Sequence, residues 1–285
     1  MTLYHHVREG HAVTLVEPTG YPEKFQSLLT AVLLADRVLF VVPGLTREVA
    51  EIATVVDLAG RPVTIVHRET VGAEEVRRAL KGLSLVDAPI DPWAPTALRA
   101  AIDGWSVPAE GGPPRVPIDH AFPVKGVGAV VLGVVRGGPV EAHATLRLYP
   151  TDRRVEVRSI QVHDVDVPRA ETGERVGLAL KGIEADELAR GQVLAPDGTL
   201  RADSVVRGGG LRRCPYYRGT VAVGSHLHLA LGLQAVPVVV TELGPSGTVL
   251  TADRPLAQRP GEPAMLLDLS VAAGPRIVGR IDLPA

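Results

Sequence analysis

Ile118-Asp119-His120-Ala121-Phe122-Pro123-Val124-Lys125-Gly126-Val127-Gly128, running on into Ala129-Val130-Val131-Leu132-Gly133 and then Arg136-Gly137-Gly138, sets the architecture of everything that follows residue 117. Short apolar runs are joined by glycines, with no helical period, so the stretch reads as strand, tight turn, strand. Gly126, Gly128, Gly133 and Gly137 stand where hairpins and barrel corners need a positive φ or a close backbone approach. Gly126-x-Gly128 opens like a dinucleotide fingerprint, but Val131 occupies the place of the third glycine and the run is strand-like, so that reading fails.

Working forward, 144–149, 155–162, 175–180 and 192–194 are strand-like and separated by glycine-rich or charged turns. With 118–124 and 129–135 they predict a small closed β-barrel over 118–196. Residues 195–218 read as a loop-rich break. Strand-like runs at 221–223, 226–233, 236–243, 247–251, 264–271 and 276–281 then predict a second β domain over 197–285.

Working backward, Pro and Gly crowd 105–117 and mark a boundary, with 109–117 as linker. Before it the grammar alternates. Residues 12–16 read as a buried strand and 23–35 as a helix with Phe25, Leu28, Leu29, Val32 and Leu33 on one face. A strand at 38–42 follows. Thr46 then caps a helix over 47–58 that ends at Gly60. A strand at 62–66, a helix at 70–81 and a strand at 83–86 complete a small α/β domain over 1–108 with a parallel sheet.

Composition narrows the class. Hydrophobic residues make up 46% and aromatics only 4%, so the cores are aliphatic. No apolar run reaches the length of a membrane span, which is about 18 residues. The N-terminus lacks the apolar stretch of a signal peptide, so a cytoplasmic protein without a membrane role is expected. Cys214 is the single cysteine, which excludes an intrachain disulfide and a cysteine zinc site. Asn is absent and Lys occurs only at 24, 81, 125 and 181, which fits either a thermophile or a GC-rich genome. Net charge is −2 overall: −4 over 1–113, −1 over 114–199 and +3 over 200–285. The whole chain is therefore no DNA-coating protein, while its last third has a basic excess.

The order and spacing of the quoted pieces resemble the second domain of translational GTPases. Val157-Arg158-Ser159-Ile160-Gln161-Val162-His163 is similar to that family's Ser-Ile-x-x-His strand, and Ala170, Gly173, Arg175-Val176-Gly177-Leu178, Lys181-Gly182-Ile183 and Arg190-Gly191 follow in the family's order. The family includes elongation factor Tu, and the pattern resembles elongation factor 1-alpha and the selenocysteine-specific factor SelB, in archaeal style. Arg276-Ile277-Val278-Gly279-Arg280 is similar to the family's last strand. The N-terminal part resembles a G domain that begins late. Val13-Thr14-Leu15-Val16-Glu17-Pro18-Thr19-Gly20 lies where a working domain has its strand and D-x-x-G, and Thr46-Arg47-Glu48 matches a family Thr-Arg-Glu. The resemblance implies a fold of α/β plus all-β class: a truncated G-domain-like α/β domain followed by two small β-barrels, elongation-factor domains II and III. It also implies tRNA or the ribosome as partner, since the family's barrels contact the aminoacyl end and stem of tRNA.

The same resemblance marks what is missing. A phosphate loop needs G-x-x-x-x-G-K-[ST], yet only 16 residues precede Glu17 and none of the four lysines is followed by Ser or Thr. A chain without Asn has no N-K-x-D, and Val66-His67-Arg68-Glu69 stands in that region. Glu17 replaces the magnesium-linked Asp. Tyr21 lies near the place of the water-orienting His and, with an ordinary pKa near ~10, is a poor substitute. Glu17, Gly20 and Tyr21 are thus a degenerate remnant, and neither GTP nor magnesium, nor GTPase activity, is expected.

Candidate binding residues cluster in two places. Arg207, Arg212, Arg213, Tyr216, Tyr217 and Arg218 lie in a segment with Gly208-Gly209-Gly210, and Arg plus aromatic in a mobile loop suits RNA. An ordinary solvated loop is the competing reading. Arg153, Arg154, Arg158 and His163 form a smaller group on the first barrel. His226 and His228 share a strand face without a third ligand at standard spacing, His5, His6 and His11 read as a solvated end, and Cys214 has no base partner. No G-x-S-x-G elbow occurs. The alternative is a protein-interaction scaffold or a regulator of a true translational GTPase, with no direct RNA binding. A third reading is a small ligand at the carboxyl ends of the parallel strands, near Glu17 and Tyr21.

Overall fold

The computed structural model describes residues 2–8, 11–106, 111–271 and 274–285, with the side chains of 5–8, 11 and 12 left aside. The histidines at 5, 6 and 11 and part of the expected linker therefore lie outside the described side chains or residues. Two compact units cut across chain order. One gathers Met1–Val107 with Leu211–Ala222 and Met265–Ile281, and the other gathers Pro108–Gly210, Val223–Ala264 and Asp282–Ala285.

In the first unit, strand β1 (Thr2–Arg8) pairs antiparallel with β2 (His11–Glu17). Residues 12–16 were expected as a buried strand of the parallel sheet. They form instead one arm of this separate ribbon, with Leu15 exposed. Closing a short hairpin costs little loop entropy, so the local partner wins. Helix α1 (Phe25–Leu34), strand β3 (Val38–Val42), helix α2 (Arg47–Ala59), strand β4 (Val63–His67), helix α3 (Ala73–Ala79), strand β5 (Ile90–Pro92) and helix α4 (Pro95–Asp103) follow. The parallel sheet has the order β3-β4-β5. Phe25, Leu28, Leu29, Phe40, Val42, Val55 and Ile65 are buried within this unit.

Helix α2 begins and ends as its sequence directs. Thr46 Oγ1 accepts from the Val49 N–H at 3.3 Å, and Gly60 adopts φ 64° with its N–H on the Val56 and Asp57 carbonyls. The strand expected at 83–86 is a 3₁₀ turn, Ser84–Asp87, and the third strand comes later, at β5. The cause is Asp57, whose Oδ1 accepts from both the N–H and the hydroxyl of Ser84 at 2.6 Å and bends the chain there. Helix α4 was not expected from sequence. It opens with Pro95 at a first-turn position and buries no residue fully, so the apolar signal is weak.

The second unit holds a closed six-stranded antiparallel barrel. Its strands Arg153–Val162, Arg175–Lys181, Gly128–Val134, Val116–Val124, Val193–Ala195 and Thr145–Tyr149 pair in that order, and Thr145–Tyr149 returns to Arg153–Val162. Val116, Ile118, Val131, Leu148, Val157, Ile160, Leu178 and Leu194 fill its interior. Gly133 is fixed by close approach, because a Cβ there would lie 2.5 Å from the Pro117 carbonyl oxygen. Gly126 turns the first hairpin at φ 82°.

The last part of the chain forms a second, curled sheet, so the class is the expected α/β plus two small β-barrel domains. Arg201–Gly208, Thr248–Gln258, Gln234–Leu243 and His226–Leu231 pair in order within the second unit. In the first unit Arg212–Arg213 pairs with Ile277–Asp282. The loop expected over 195–218 thus contains a strand. Arg201 and Arg207 face solvent while Val206 is buried, an alternation that charge masked. Among the described residues no helix is long and apolar enough to cross a membrane.

Candidate functional site

The remnant loop after β2 is held by the protein itself. Glu17 accepts from the Tyr4 hydroxyl at 3.0 Å, and the Gly20 N–H points to Ser27 Oγ at 3.4 Å. The Tyr21 hydroxyl shares its proton between Glu51 Oε2 at 3.0 Å and the Glu48 carbonyl at 3.1 Å. Glu51, on α2, also accepts from Arg276: the backbone N–H and Nε reach Oε1 at 2.9 and 3.1 Å, and Nη2 reaches Oε2 at 2.7 Å. Burial pushes the Glu51 carboxyl up, but the hydrogen bonds from Arg276 and Tyr21 outweigh it and hold the group below the usual range. Burial, then the Glu51 charge, raises the Tyr21 phenol well above its ordinary value. Tyr21 is a hydrogen-bond donor locked onto a carboxylate.

The basic segment at 207–218 is divided between the two units. Arg207 is exposed in the second unit, while 211–218 belong to the first. Arg212 Nη2 meets Asp57 Oδ2 at 2.8 Å, Arg213 Nη2 meets the Gly219 carbonyl at 2.9 Å, and the Tyr216 hydroxyl donates to the Lys81 carbonyl at 2.9 Å. Tyr217 is buried, with its hydroxyl on Asp268 Oδ2 at 2.7 Å, and so offers no ring to a base. Burial first, then Asp268, pushes its phenol up to about 12. Arg218 is exposed. The partners of Arg212 and Tyr216 were invisible in the sequence because they lie on helix α2 and at Lys81, 155 and 135 residues away.

On the barrel, Arg153 pairs with Glu187, Arg154 with Asp197, and Arg158 Nη1 donates to the Val127 carbonyl at 3.0 Å. His163 and Asp164, at φ 50° and 62°, make the two-residue turn between Val162 and Val165.

A different barrel group joins a buried ion pair to an exposed imidazole. A bulge between Ile118 and His120 inserts Asp119 as an extra residue. The Asp119 side chain is only 1% exposed, yet it is ionically paired through both oxygens with the two terminal nitrogens of Arg175. His120 Nδ1 lies 2.6 Å from Asp119 Oδ1, and its ring is largely exposed. An ionised carboxylate only accepts, so His120 Nδ1 donates its N–H to Asp119. Cross-strand register continues the row from His120 to Leu132, Gly177 and Gln161. A Cβ at Gly177 would sit in ordinary contact with Leu132 Cδ2 at 3.5 Å and Gln161 Cβ at 3.9 Å. The group presents one exposed imidazole on the outer face of the barrel, backed by a buried ion pair. Sequence reasoning quoted Asp119, His120 and Arg175 for family likeness and passed over their chemistry. The signal was an Asp next to Ile118 inside an apolar strand. Among the described residues no three His, Cys, Asp or Glu side chains gather as metal ligands.

The family model of elongation factor Tu domain 2 matches residues 128–195. An uncharacterised protein of Methanocaldococcus jannaschii is 34% identical over 281 residues, which is 98% of this chain and 90% of that protein. The selenocysteine-specific elongation factor of the same organism is 28% identical over 258 residues, 81% of this chain but only 55% of that longer protein. Among solved structures, elongation factor SelB from Methanococcus maripaludis, in complex with the GTP analogue GppNHp, matches with a TM-score of 0.83 at 21% identity, covering 100% of this chain and 73% of that one. At that identity the likeness is one of fold.

Proposed function

The chain belongs to the translational GTPase family of elongation factors, and from that premise we propose that it is a non-hydrolysing member that binds tRNA, free or on the ribosome, through its first barrel. The observation that carries this reading is the Asp119–Arg175 pair with His120 beside it. A buried ion pair on the outer wall of a barrel costs desolvation and is a poor stabiliser. Its use is to fix the exposed His120 ring in one orientation on that wall, through the Asp119 carboxylate. Such a surface suits the polar end of an aminoacyl-tRNA, with exposed arginines such as Arg153 and Arg158 available to phosphates.

Lack of hydrolysis follows from chemistry that these 285 residues do not supply. They contain no Asn for base reading and no Lys followed by Ser or Thr for a phosphate loop. Tyr21 is engaged with Glu51 and remains protonated at neutral pH, so it activates no water. The protein acts in the cytoplasm, with neither GTP nor magnesium.

Filter binding of aminoacylated and deacylated tRNA across a salt series tests the proposal, with single-turnover GTP hydrolysis alongside. Binding that steepens at low salt, falls on the order of 10-fold in His120→Ala, and occurs without phosphate release is the expected result. Measurable GTP turnover, or tRNA binding indifferent to His120, removes it. The second reading is a regulator that docks on a true translational GTPase. Its support is that Arg212 and Tyr217, two of the loop candidates for RNA, are engaged within their own unit. Salt-insensitive capture of one such GTPase, without tRNA, would favour it.

A further inference from the structure

Helix α2 carries two buried carboxylates, and arginines from distant parts of the chain meet both. Glu51 is bound by Arg276 and Asp57 by Arg212, while Arg280 Nη1 donates to the Leu58 and Ala59 carbonyls at 3.0 and 3.1 Å, where the helix leaves acceptors unsatisfied. Arg276 reaches further still. Its terminal nitrogens donate to the Pro22 carbonyl at 3.2 and 3.3 Å, and its guanidinium lies 4.5 Å from the Phe25 ring centroid and 5.9 Å from that of Tyr21. One side chain therefore touches the loop after β2, the start of α1 and the middle of α2.

We infer that this arginine clamp makes the loop at 18–24, helix α2 and the C-terminal stretch 274–281 one cooperative element, assembled by the protein's own side chains and indifferent to nucleotide. The lone pairs of Glu51 are met from three directions: the Arg276 side chain, the Arg276 backbone and Tyr21. Releasing any one segment strands a buried charge, so the segments open together. Within the loop, the Tyr21 hydroxyl and the Pro22 carbonyl are already engaged by the protein's own groups.

Hydrogen exchange on the full chain tests this, with and without GTP, GDP or GppNHp and magnesium. Amides of 18–24, 47–59 and 274–281 should exchange with a common opening constant that no nucleotide alters. Glu51→Gln, which keeps the shape and removes the charge, should speed all three by a shared factor on the order of 100. Tyr21→Phe, which deletes one hydrogen bond and is tolerated in size, should speed all three by a shared factor near 10 and decides the matter if Glu51→Gln does not fold. Nucleotide-dependent protection of 18–24, or acceleration confined to one segment, overturns the inference. This outcome is independent of tRNA binding.

Discussion

Arg276 and Arg154 carry the same guanidinium, and both meet a carboxylate. The Arg276–Glu51 pair is 21% and 8% exposed, whereas the Arg154–Asp197 pair is 68% and 45% exposed. Water screens the second pair and competes for both partners, so its geometry adds little to stability. The first pair has lost its water, and each partner depends on the other. On the barrel, arginine is a surface cation available to other molecules. On α2 it is a structural cross-link. Local sequence does not separate the two, since Arg153-Arg154 and Arg212-Arg213 look alike. What separates them is whether the acidic partner lies on a helix facing the interior, as Glu51 and Asp57 do.

The comparison can be broken most forcefully at Arg276. Arg276→Ala should cost about 3 kcal/mol in urea unfolding, the range for stranding a buried charge. A loss as small as that of a surface arginine would mean that the burial contrast carries no energy. Arg212→Ala should cost less, about 1–2 kcal/mol, because Asp57 keeps both Ser84 hydrogen bonds and Arg212 itself is half-exposed.

Titration sharpens the same contrast. Glu51 is held below its ordinary pKa, so its contribution is complete above the unfolded value and fades as pH falls through the folded one. The melting temperature of wild type should therefore drop in acid more than that of Glu51→Gln. Tyr217 runs the other way. Its phenol is raised to about 12, so its contribution is intact below the unfolded value near ~10 and is lost as pH rises towards the folded one. Tyr217→Phe should flatten that alkaline limb in a thermal melt. The smallest effect belongs to the exposed group: Arg153→Ala with Arg154→Ala should leave the melting temperature unchanged and merely lower the salt slope of tRNA binding, by roughly 1–2.

Much of the architecture was legible before any coordinates. The glycine-punctuated run at 118–138 gave the first barrel, and Thr46 with Gly60 gave the limits of α2. The misreadings share one physical origin. The run at 12–16 looked buried because apolar content reports preference for burial and not the identity of the partner strand. The strand Arg201–Gly208 was hidden by its outward arginines, and the 3₁₀ turn at Ser84–Asp87 was set by a side chain 27 residues away. The site fared worse. The basic loop was chosen for composition, whereas the buried ion pair at Asp119 and Arg175 depends on a bulge and on 56 residues of separation.

By itself the sequence determined the α/β-then-β order of the chain and the absence of phosphate-loop and base-reading motifs from these residues, because these depend on local period, turn chemistry and motif spacing. Only the tertiary structure decided which arginines are free to meet another molecule and which bind α2, and that Tyr21 is tied to Glu51. The reason is that a charge takes its role from its distance to solvent and to an opposite charge, and both are properties of the folded chain.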